Sequence, residues 1–600
     1  MKRIVVAAVA FAAVLGMPVI AGPSAIPPCP IVERQDLWPS KEAMPDFQPQ
    51  QIALRTEEKA APAGFDKAMP HLEWYQAPKA EGKTDACMII ISGGAYQNCC
   101  DGYWVDWLAR RLVKRGVTCV SLVYRTPRPK DLPIYQSGWE DGQRAVRLVR
   151  SQASKRGYDP EKIGAMGFSA GSHLTVMLAT SALTPAYAKV DAIDDIPCHV
   201  NWAVPIYTAY GLTDGLTGPN SRDGDSPDVK LNPSFKFDEK TCPMCMFHGG
   251  IDIYSPNAST QIYRQLRRMK IPAELHLFGE RNHGFFSGAK AGTGAANWYG
   301  RIEEFMTQMG YLGPLAPEEK LMDRYPSDAD RAIYAKEDVW PDRRIPDFQK
   351  SQCKPYIEWH IPSNLTTKAI QIIYSGGSYM GNSPDGFEVA PARRYLNSKG
   401  MAVVTLKYRT PRPAAPLKKH VTAWQDLQRA IRLVRSKAAS YGLDPNRIGI
   451  MGSSAGGHLT ILGATSSRHR AYFPVNGDKV DALPCNVQWA VAIYPAYALT
   501  DGLEKGNSGG GNEDDALLAP EFAFDVDTCP MLFVHGDADG WAAMNSVKCW
   551  EQLRRMGIQG DLHTLALRPH CFQNKAAPGT GSYTWLDRIW EFMVDKGIDR

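Results

Sequence analysis

Two serines lie in the pattern Gly-x-Ser-x-Gly, which holds a nucleophile on a sharp turn. Ser169 and Ser454 each follow a short apolar run typical of a strand, and each precedes a segment typical of a helix. A strand, a glycine turn and a helix in this order form a nucleophile elbow, in which a strained backbone exposes the serine hydroxyl. The pattern therefore predicts two nucleophilic serines in one chain.

A nucleophilic serine needs a base and a carboxylate that orients the base. After an elbow of this kind, the expected chain order is serine, acid, histidine. The candidates in that order are Asp252 and His283 for Ser169, and Asp539 and His570 for Ser454. Asp537 is a rival to Asp539, which we prefer because its spacing matches that of Asp252.

Acyl transfer by serine also needs hydrogen-bond donors for the developing oxyanion. A turn of small residues follows an early predicted strand in each half, where backbone N–H groups can approach a substrate. The predicted donors are the N–H groups of Gly94, Ala95 and Ala170 in the first half, and of Gly377, Ser378 and Ala455 in the second. Tyr96 and Tyr379 follow these turns, and either line the substrate site or pack in the core. This chemistry requires no metal and no organic cofactor.

The chain is a duplication of itself with a spacing of about 285 residues. The segment Tyr124–Pro129 recurs as Tyr408–Pro413, and Thr241–Met244 recurs as Thr528–Met531. A period this long indicates two copies of a whole domain rather than a solenoid. The predicted domains are residues 26–313 and 346–600, joined by a linker at residues 314–345.

Strands and helices alternate along each copy. In the second copy, Ala369–Tyr374 and Met401–Lys407 are typical of strands, and Trp424–Ser440 carries apolar residues at helical spacing. Helices between short buried strands favour a parallel sheet covered on both faces. The predicted fold class is therefore α/β, with a mostly parallel, doubly wound sheet and helices on both faces in each domain.

Composition and charge exclude several classes of protein. The 600 residues are 44% hydrophobic and 22% charged, as in globular proteins. A net charge of +5 without a long basic run argues against a nucleic-acid partner. Two basic residues followed by the apolar run Ile4–Ile20 predict a cleaved export signal over residues 1–25. A membrane anchor is the alternative, but Pro18 interrupts the run. We therefore expect a secreted or periplasmic protein that is free of the membrane after cleavage.

Both copies resemble α/β-hydrolases of the esterase/lipase superfamily, in particular the acetyl xylan esterase-like and feruloyl-esterase-like bacterial carbohydrate esterases. The resemblance rests on the Gly-Gly-x-Tyr turn, the Tyr-Arg segment, Asp426 ahead of Gln428–Ala430, and the Asp444–Gly449 approach to the second elbow. In one departure, Ala95 and Ser378 stand where many relatives have a third glycine. A backbone N–H survives that change, so we expect the oxyanion donors to survive too.

The resemblance implies a serine carboxylesterase that removes acyl groups, first of all acetyl groups, from carbohydrate such as acetylated xylan. One alternative is a feruloyl or other hydroxycinnamoyl esterase. Another is an active half beside a non-catalytic binding half. An oligopeptidase is a third, but neither copy has room for the large extra domain of those enzymes. The expected partner is the acylated carbohydrate, and we expect the two domains to pack on each other.

Four cysteines occupy matched positions in the two copies. Each pair lies just before neighbouring predicted strands, and an exported protein retains disulfides. The hypothesis is a bridge between Cys198 and Cys242 and another between Cys485 and Cys529, with buried thiols as the alternative.

Further polar residues near the elbows are expected to be structural. Asp141 and Asp426 precede the predicted helix that packs beside the elbow strand, where a helix cap or an ion pair is the expected role. His173 and His458 lie four residues after the serines, on the inward face of the predicted helix.

Overall fold

The computed structural model of the protein describes most of the chain. It describes residues 31–56, 66–75, 84–100, 102–213, 229–325, 331–341, 344–474, 478–500 and 516–600. The predicted export signal at residues 1–25 lies outside the described residues. No helix within these ranges is both long enough and apolar enough to cross a membrane.

The two halves repeat the same alternation of strands and helices. The strands are β1 (Ile31–Asp36), β2 (His71–Tyr75), β3 (Cys87–Ile91), β4 (Thr118–Val123), β5 (Ile163–Phe168), β6 (Trp202–Ile206), β7 (Met244–Gly249), β8 (Ala273–Phe278), β9 (Glu319–Lys320), β10 (Arg331–Asp338), β11 (Tyr356–Pro362), β12 (Ile370–Tyr374), β13 (Ala402–Lys407), β14 (Ile448–Ser453), β15 (Trp489–Ile493), β16 (Met531–Gly536), β17 (Gly560–Leu565) and β18 (Lys575–Ala576). The α-helices are α1 (Gly102–Lys114), α2 (Gln136–Ser151), α3 (Ala153–Arg156), α4 (Ala170–Thr180), α5 (Asn257–Arg268), α6 (Trp298–Gln308), α7 (Leu321–Arg324), α8 (Ala390–Ser398), α9 (Val421–Lys437), α10 (Ala455–Thr465), α11 (Met544–Arg555) and α12 (Trp585–Asp595).

Sixteen strands of the described residues form one continuous sheet. Their order is β1-β2-β4-β3-β5-β6-β7-β8-β17-β16-β15-β14-β12-β13-β11-β10. Within each half, the six inner strands are parallel, and antiparallel pairs occur at the outer edge. The inner strands are buried along almost their whole length, as a parallel sheet between helices requires. The predicted α/β class, with a mostly parallel sheet in each of two tandem domains, is confirmed.

Hydrophobic cores lie on both faces of the sheet because successive strand residues point to opposite faces. On β3, Ile89 packs with helices α2, α4 and α5, whereas Ile90 packs with α1 and α6. On β12, Ile372 and Ile373 separate in the same way. The core on the α2/α4 face continues through both halves, while the opposite face has a separate core in each half.

The halves join where β8 and β17 pair antiparallel, through His276 with His563 and Leu277 with Leu562. Each of these strands would otherwise expose an edge with unpaired backbone groups. His276 and His563 occupy the same position in the repeat, and their Nδ1 atoms are 2.9 Å apart, so a local pseudo-two-fold axis passes between them.

Charged side chains reinforce this junction on both sides of the axis. On the facing helices α5 and α11, Arg264 pairs with Glu551 at 2.5 Å. These two residues also occupy one repeat position, so duplication has been followed by a change of charge. Beyond the sheet, Arg301 pairs with Glu591, and Arg588 pairs with Glu304 at 2.5 Å.

The predicted linker contributes a strand to the second half. Strand β10 lies within residues 314–345 and pairs antiparallel with β11, as β1 pairs with β2 in the first half. The folded second half therefore starts upstream of residue 346. The repeated triplets Leu37–Pro39 and Val339–Pro341 carry this signal in the sequence.

Candidate active site

Both predicted nucleophiles lie at the tip of a strand–helix turn. Ser169 separates β5 from α4 with φ 54° and ψ −116°, and Ser454 separates β14 from α10 with φ 55° and ψ −121°. Residues with a side chain rarely adopt such a positive φ, so the surrounding structure must enforce it. A Cβ on Gly171 would lie 2.3 Å from the Ser92 carbonyl oxygen, which is why a glycine follows this turn.

The first half brings Ser169, His283 and Asp252 together. Asp252 follows β7, and His283 follows β8, so both come from the carboxyl ends of strands that are parallel to β5 in the same sheet. His283 Nε2 is 2.9 Å from Ser169 Oγ, and its Nδ1 is 2.9 Å from Asp252 Oδ2. These contacts let the imidazole accept the hydroxyl proton while the carboxylate holds its tautomer.

The second half repeats this arrangement with Ser454, His570 and Asp539. His570 Nε2 is 2.8 Å from Ser454 Oγ, and Nδ1 is 2.7 Å from Asp539 Oδ2. The side chain of His570 is about one quarter exposed, as is that of His283, whereas both carboxylates are buried. A substrate therefore has access to each histidine, while water is kept from the carboxylate behind it.

A second histidine, absent from the sequence prediction, contacts the aspartate in each half. His248 Nε2 donates to the Tyr254 carbonyl at 2.8 Å and lies 3.3 Å from Asp252 Oδ2. Burial acts to raise the pKa of Asp252, but hydrogen bonds from His248 and His283 outweigh it and bring the pKa to about 2. His535 makes the same contacts to Asp539, whose pKa is also lowered. The signal in the sequence is the repeated His-Gly-x-x-Asp spacing.

The backbone next to each nucleophile includes one of the predicted oxyanion donors, Ala170 or Ala455. Ala170 and Ala455 are the first residues of α4 and α10, so their N–H groups lie at a helix start, where no intrahelical acceptor is available. In the second half, a Cβ on Gly376 would lie 2.6 Å from Ser454 Cβ and 3.2 Å from the Ala455 nitrogen. The small-residue turn therefore packs directly on the nucleophile. The assignment of individual donors stays a prediction.

The adjoining turn residues have an unusual backbone. Gly94, Ala95, Gly377 and Ser378 all have positive φ, at 116°, 55°, 75° and 53°. The alanine and serine therefore occupy a conformation that glycine adopts more easily.

The structure corrects the substrate-binding role considered for Tyr96 and Tyr379. Both side chains are buried, with 1% and 0% of their surface exposed. Tyr96 OH lies 2.9 Å from His173 Nδ1, and Tyr379 OH lies 2.8 Å from His458 Nδ1. Both tyrosines are therefore packing residues that hold a histidine of the elbow helix.

Asp537 serves the junction between the halves rather than catalysis. Its Oδ1 accepts a hydrogen bond from Tyr263 OH at 2.8 Å and pairs with Arg267 at 3.1 Å. Its Oδ2 accepts from the Ala273 N–H at 3.2 Å. All three partners belong to the first half, so the preference for Asp539 as the catalytic acid agrees with the geometry.

The structure contains neither hypothesised disulfide. Cys198, Cys242, Cys485 and Cys529 are all free, buried thiols. Cys198 Sγ donates to the Ala182 carbonyl at 3.3 Å, and Cys485 Sγ donates to the Ser467 carbonyl at 3.3 Å. Each of these sulfurs is directed to a backbone acceptor instead of to its hypothesised partner.

The two aspartates predicted to be structural form buried ion pairs. Asp141 accepts from the backbone N–H and Nε of Arg125 and from Trp38 Nε1. Asp426 makes the equivalent contacts to Arg409 and Trp340. These pairs fix the helix α2 or α9 against the strand beside it.

Comparison with known proteins places the chain in a family. The profile of the family described as BD-FAE matches residues 72–266 and again residues 358–552, once in each half. The chain belongs to the BD-FAE family. Its two matches cover both elbows and end before His283 and His570, which belong to the following segment of each half.

Two of the similar proteins are named as enzymes that act on xylan or its esters. The chain is 30% identical to endo-1,4-beta-xylanase B of Butyrivibrio fibrisolvens over 224 residues, which are 34% of this chain and 34% of that protein. It is 33% identical to an acetylxylan esterase of Xylanibacter ruminicola over 108 residues, which are 18% of this chain and 21% of that protein. The chain thus spans about a third or less of the length of these relatives.

Among solved structures, the chain matches an acetyl ester-xyloside bifunctional hydrolase from Caldicellulosiruptor lactoaceticus. The TM-score is 0.36 and the identity 25%, with 44% of this chain and 97% of that chain covered.

Proposed function

We propose that each half of this BD-FAE protein is a serine carboxylesterase that removes acetyl groups from carbohydrate, with acetylated xylan as the substrate class. The observation that carries the proposal is the presence of two Ser-His-Asp arrangements with hydrogen-bond distances of 2.7–2.9 Å. The similarity to an acetylxylan esterase supports both ester hydrolysis and the substrate class. The predicted export signal accords with a polymer outside the cytoplasm.

The reaction begins when the serine Oγ attacks the ester carbonyl carbon. His283 or His570 takes the Oγ proton on Nε2, and backbone N–H groups stabilise the oxyanion. Collapse of the tetrahedral intermediate breaks the bond to the sugar oxygen, which receives the proton from Nε2. Water, deprotonated by the same histidine, then releases acetate from the acyl-enzyme. Asp252 or Asp539 stays ionised throughout, because its pKa lies below the ordinary value.

The test is acetate release from acetylated xylan by the wild type, Ser169→Ala, Ser454→Ala and the double variant. We expect each single variant to retain part of the activity and the double variant to lose at least about 10³-fold. Circular dichroism of each variant controls for folding.

Three results would change the proposal. If one single variant loses all activity, only that half deacetylates xylan. If the wild type cleaves a small chromogenic acetate but not acetylated xylan, the esterase proposal stands and the substrate class falls. Release of ferulate instead of acetate would favour the hydroxycinnamoyl alternative.

A further inference from the structure

The second half contains a buried cluster of two imidazoles and one carboxylate that the acyl-transfer chemistry does not use. His420 immediately precedes α9, His458 lies on α10 one turn after the nucleophile, and Glu521 lies in the segment between β15 and β16. Glu521 Oε1 is 3.1 Å from His458 Nε2 and 3.2 Å from His420 Nδ1. One ligand atom from each of the three residues lies within 4.8 Å of the other two.

Hydrogen bonds within the described residues satisfy only part of this cluster, because His458 Nε2 bonds Glu521 Oε1 at 3.1 Å but two other atoms are left over. His420 Nδ1 and Glu521 Oε2 are buried and have no hydrogen-bond partner there, because the 3.2 Å contact between His420 and Glu521 lacks the required geometry. Only 2% of His420 is exposed, and the Glu521 side chain is 6% exposed. A buried polar atom without a partner is costly, so both atoms call for a ligand that satisfies them.

A contact outside the cluster orients the His458 ring so that its Nε2 faces Glu521. Its Nδ1 lies 2.8 Å from Tyr379 OH, which can accept the Nδ1 proton and leave Nε2 as a lone-pair donor. A partner on the second ring nitrogen is the usual arrangement for a metal-binding histidine.

The first half shows what the same position looks like without these ligands. The matching residues there are Tyr135, His173 and Ser234. His173 Nε2 accepts from Asn232 Nδ2 at 3.0 Å, so the ring is satisfied by the chain itself. In the second half, Ala519 replaces that asparagine. From the first half to the second, histidine therefore replaces tyrosine, glutamate replaces serine and alanine replaces asparagine. A histidine that the chain itself satisfies is thereby joined by two further residues of the kinds that bind metals.

We propose that His420, His458 and Glu521 bind one divalent transition-metal ion, of which Zn²⁺ is the best match. Zinc takes imidazole nitrogen and carboxylate oxygen in tetrahedral geometry, with bonds of roughly 2.0–2.2 Å that put neighbouring ligands about 3.3 Å apart. The contacts of 3.1 and 3.2 Å to Glu521 fit that spacing. The site ties the start of α9 and the elbow helix α10 to the segment before β16. Its role is structural, and no step of ester hydrolysis passes through it.

The test uses the full-length protein after treatment with a chelator and removal of the chelator. Zn²⁺ is then added as the only metal. Elemental mass spectrometry measures the bound Zn²⁺, and thermal unfolding is followed in parallel. We expect one equivalent of Zn²⁺ and a rise of at least about 2 °C in the unfolding temperature of the second half. The variants His420→Tyr and Glu521→Ser carry the residues of the first half, and each is expected to lose at least ten-fold in Zn²⁺ affinity.

The control variant is His469→Ala, because His469 is an exposed histidine outside the cluster, and it should bind Zn²⁺ as the wild type does. Esterase activity at Ser169 in each variant reports that the protein has folded. Binding of less than about 0.1 equivalent by the wild type would overturn the proposal. Equal Zn²⁺ affinity in the wild type, His420→Tyr and Glu521→Ser would overturn it as well.

Discussion

The two halves have the same Ser-His-Asp geometry, but the side chains that pack behind the nucleophile are apolar in one half and polar in the other. In the first half, Phe168 and Phe286 pack with ring centroids 6.0 Å apart, and Trp104 packs on Phe286 with ring centroids 4.5 Å apart. The equivalent positions of the second half are Ser453, Gln573 and Glu388. All three replacements are from apolar to polar, so an apolar support has become a polar network.

The network of the second half reaches the predicted oxyanion turn. Glu388 Oε2 accepts from the Gly376 N–H at 2.8 Å, and Oε1 contacts Tyr494 OH at 3.0 Å. Tyr494 OH also donates to Gln573 Oε1, which accepts from Ser453 Oγ at 3.1 Å. The histidine–serine contacts differ by only 0.1 Å between the halves, at 2.9 and 2.8 Å. The backbone elbow and the carboxylate paired with the histidine therefore fix the geometry of the triad. The three side chains behind the nucleophile can differ between the halves if all three are replaced together.

The largest expected effect is the loss of kcat when the aspartate of one triad is replaced while only that triad is active. In a Ser454→Ala background, which reports the first half, Asp252→Asn should lower kcat by about 10⁴-fold because the imidazole loses its tautomer control. Asp539→Asn should do the same in a Ser169→Ala background. Hydrolysis of a chromogenic acetate measures both, and Asp537→Asn serves as the matched control. A comparable loss of kcat in the control would contradict the assignment of Asp539.

Replacing the third support residue in each half tests whether the network acts as a group. Trp104→Glu would place a carboxylate against the ring of Phe286 and remove the aromatic contact, and we expect a loss of at least about 2 kcal/mol in the free energy of unfolding. Glu388→Val removes the acceptor of the Gly376 N–H, and kcat at the second site should fall about ten-fold. Urea unfolding and acetate hydrolysis measure the two effects. A Trp104→Glu variant as stable as wild type would show that the supports are interchangeable residue by residue.

The charge difference between α5 and α11 offers a test of the junction. Arg264→Glu places two carboxylates opposite each other and should lower the free energy of unfolding by about 2 kcal/mol. The exchanged pair, Arg264→Glu with Glu551→Arg, should recover most of that loss. Thermal unfolding of the single and double variants measures this. No recovery in the double variant would mean that the loss comes from something other than the charge pair.

The smallest expected effect is a pH dependence confined to the second half. Burial raises the pKa of Glu388, although hydrogen bonds from Gly376 and Tyr494 oppose it. A carboxyl whose pKa is raised by folding contributes stability at low pH, and that stability is lost as the pH rises from its unfolded pKa through its folded pKa. Glu388→Gln does not titrate, so its stability relative to wild type should increase by about 1 kcal/mol between pH 4 and neutral pH. Glu239→Gln, at an exposed position, should show no such trend.

Much of the site was predictable from the sequence because the duplication presented each motif twice. The elbow, the order of serine, acid and histidine, and the strand–helix alternation each appeared at matched spacing. The preference for Asp539 over Asp537 came from the same comparison. Repetition therefore separated functional residues from chance matches.

Other features depended on contacts that local patterns do not encode. The sequence did not predict that β8 pairs with β17. Each strand has the same pattern of buried residues whether its neighbour is parallel or antiparallel, so the pattern does not identify the neighbour. For Tyr96 and Tyr379, which adjoin the oxyanion turns, the sequence left substrate contact and core packing open, and the side chains in fact contact histidines in the core. Strand β10 was hidden in a segment whose composition resembled a linker.

The most direct test of two working esterase sites is labelling by a fluorophosphonate that reacts with activated serines. Intact-protein mass spectrometry of the labelled wild type should show two added groups. Ser169→Ala and Ser454→Ala should each show one, and the double variant none. A single added group on the wild type, lost in only one of the single variants, would contradict the account by showing that only one half activates its serine.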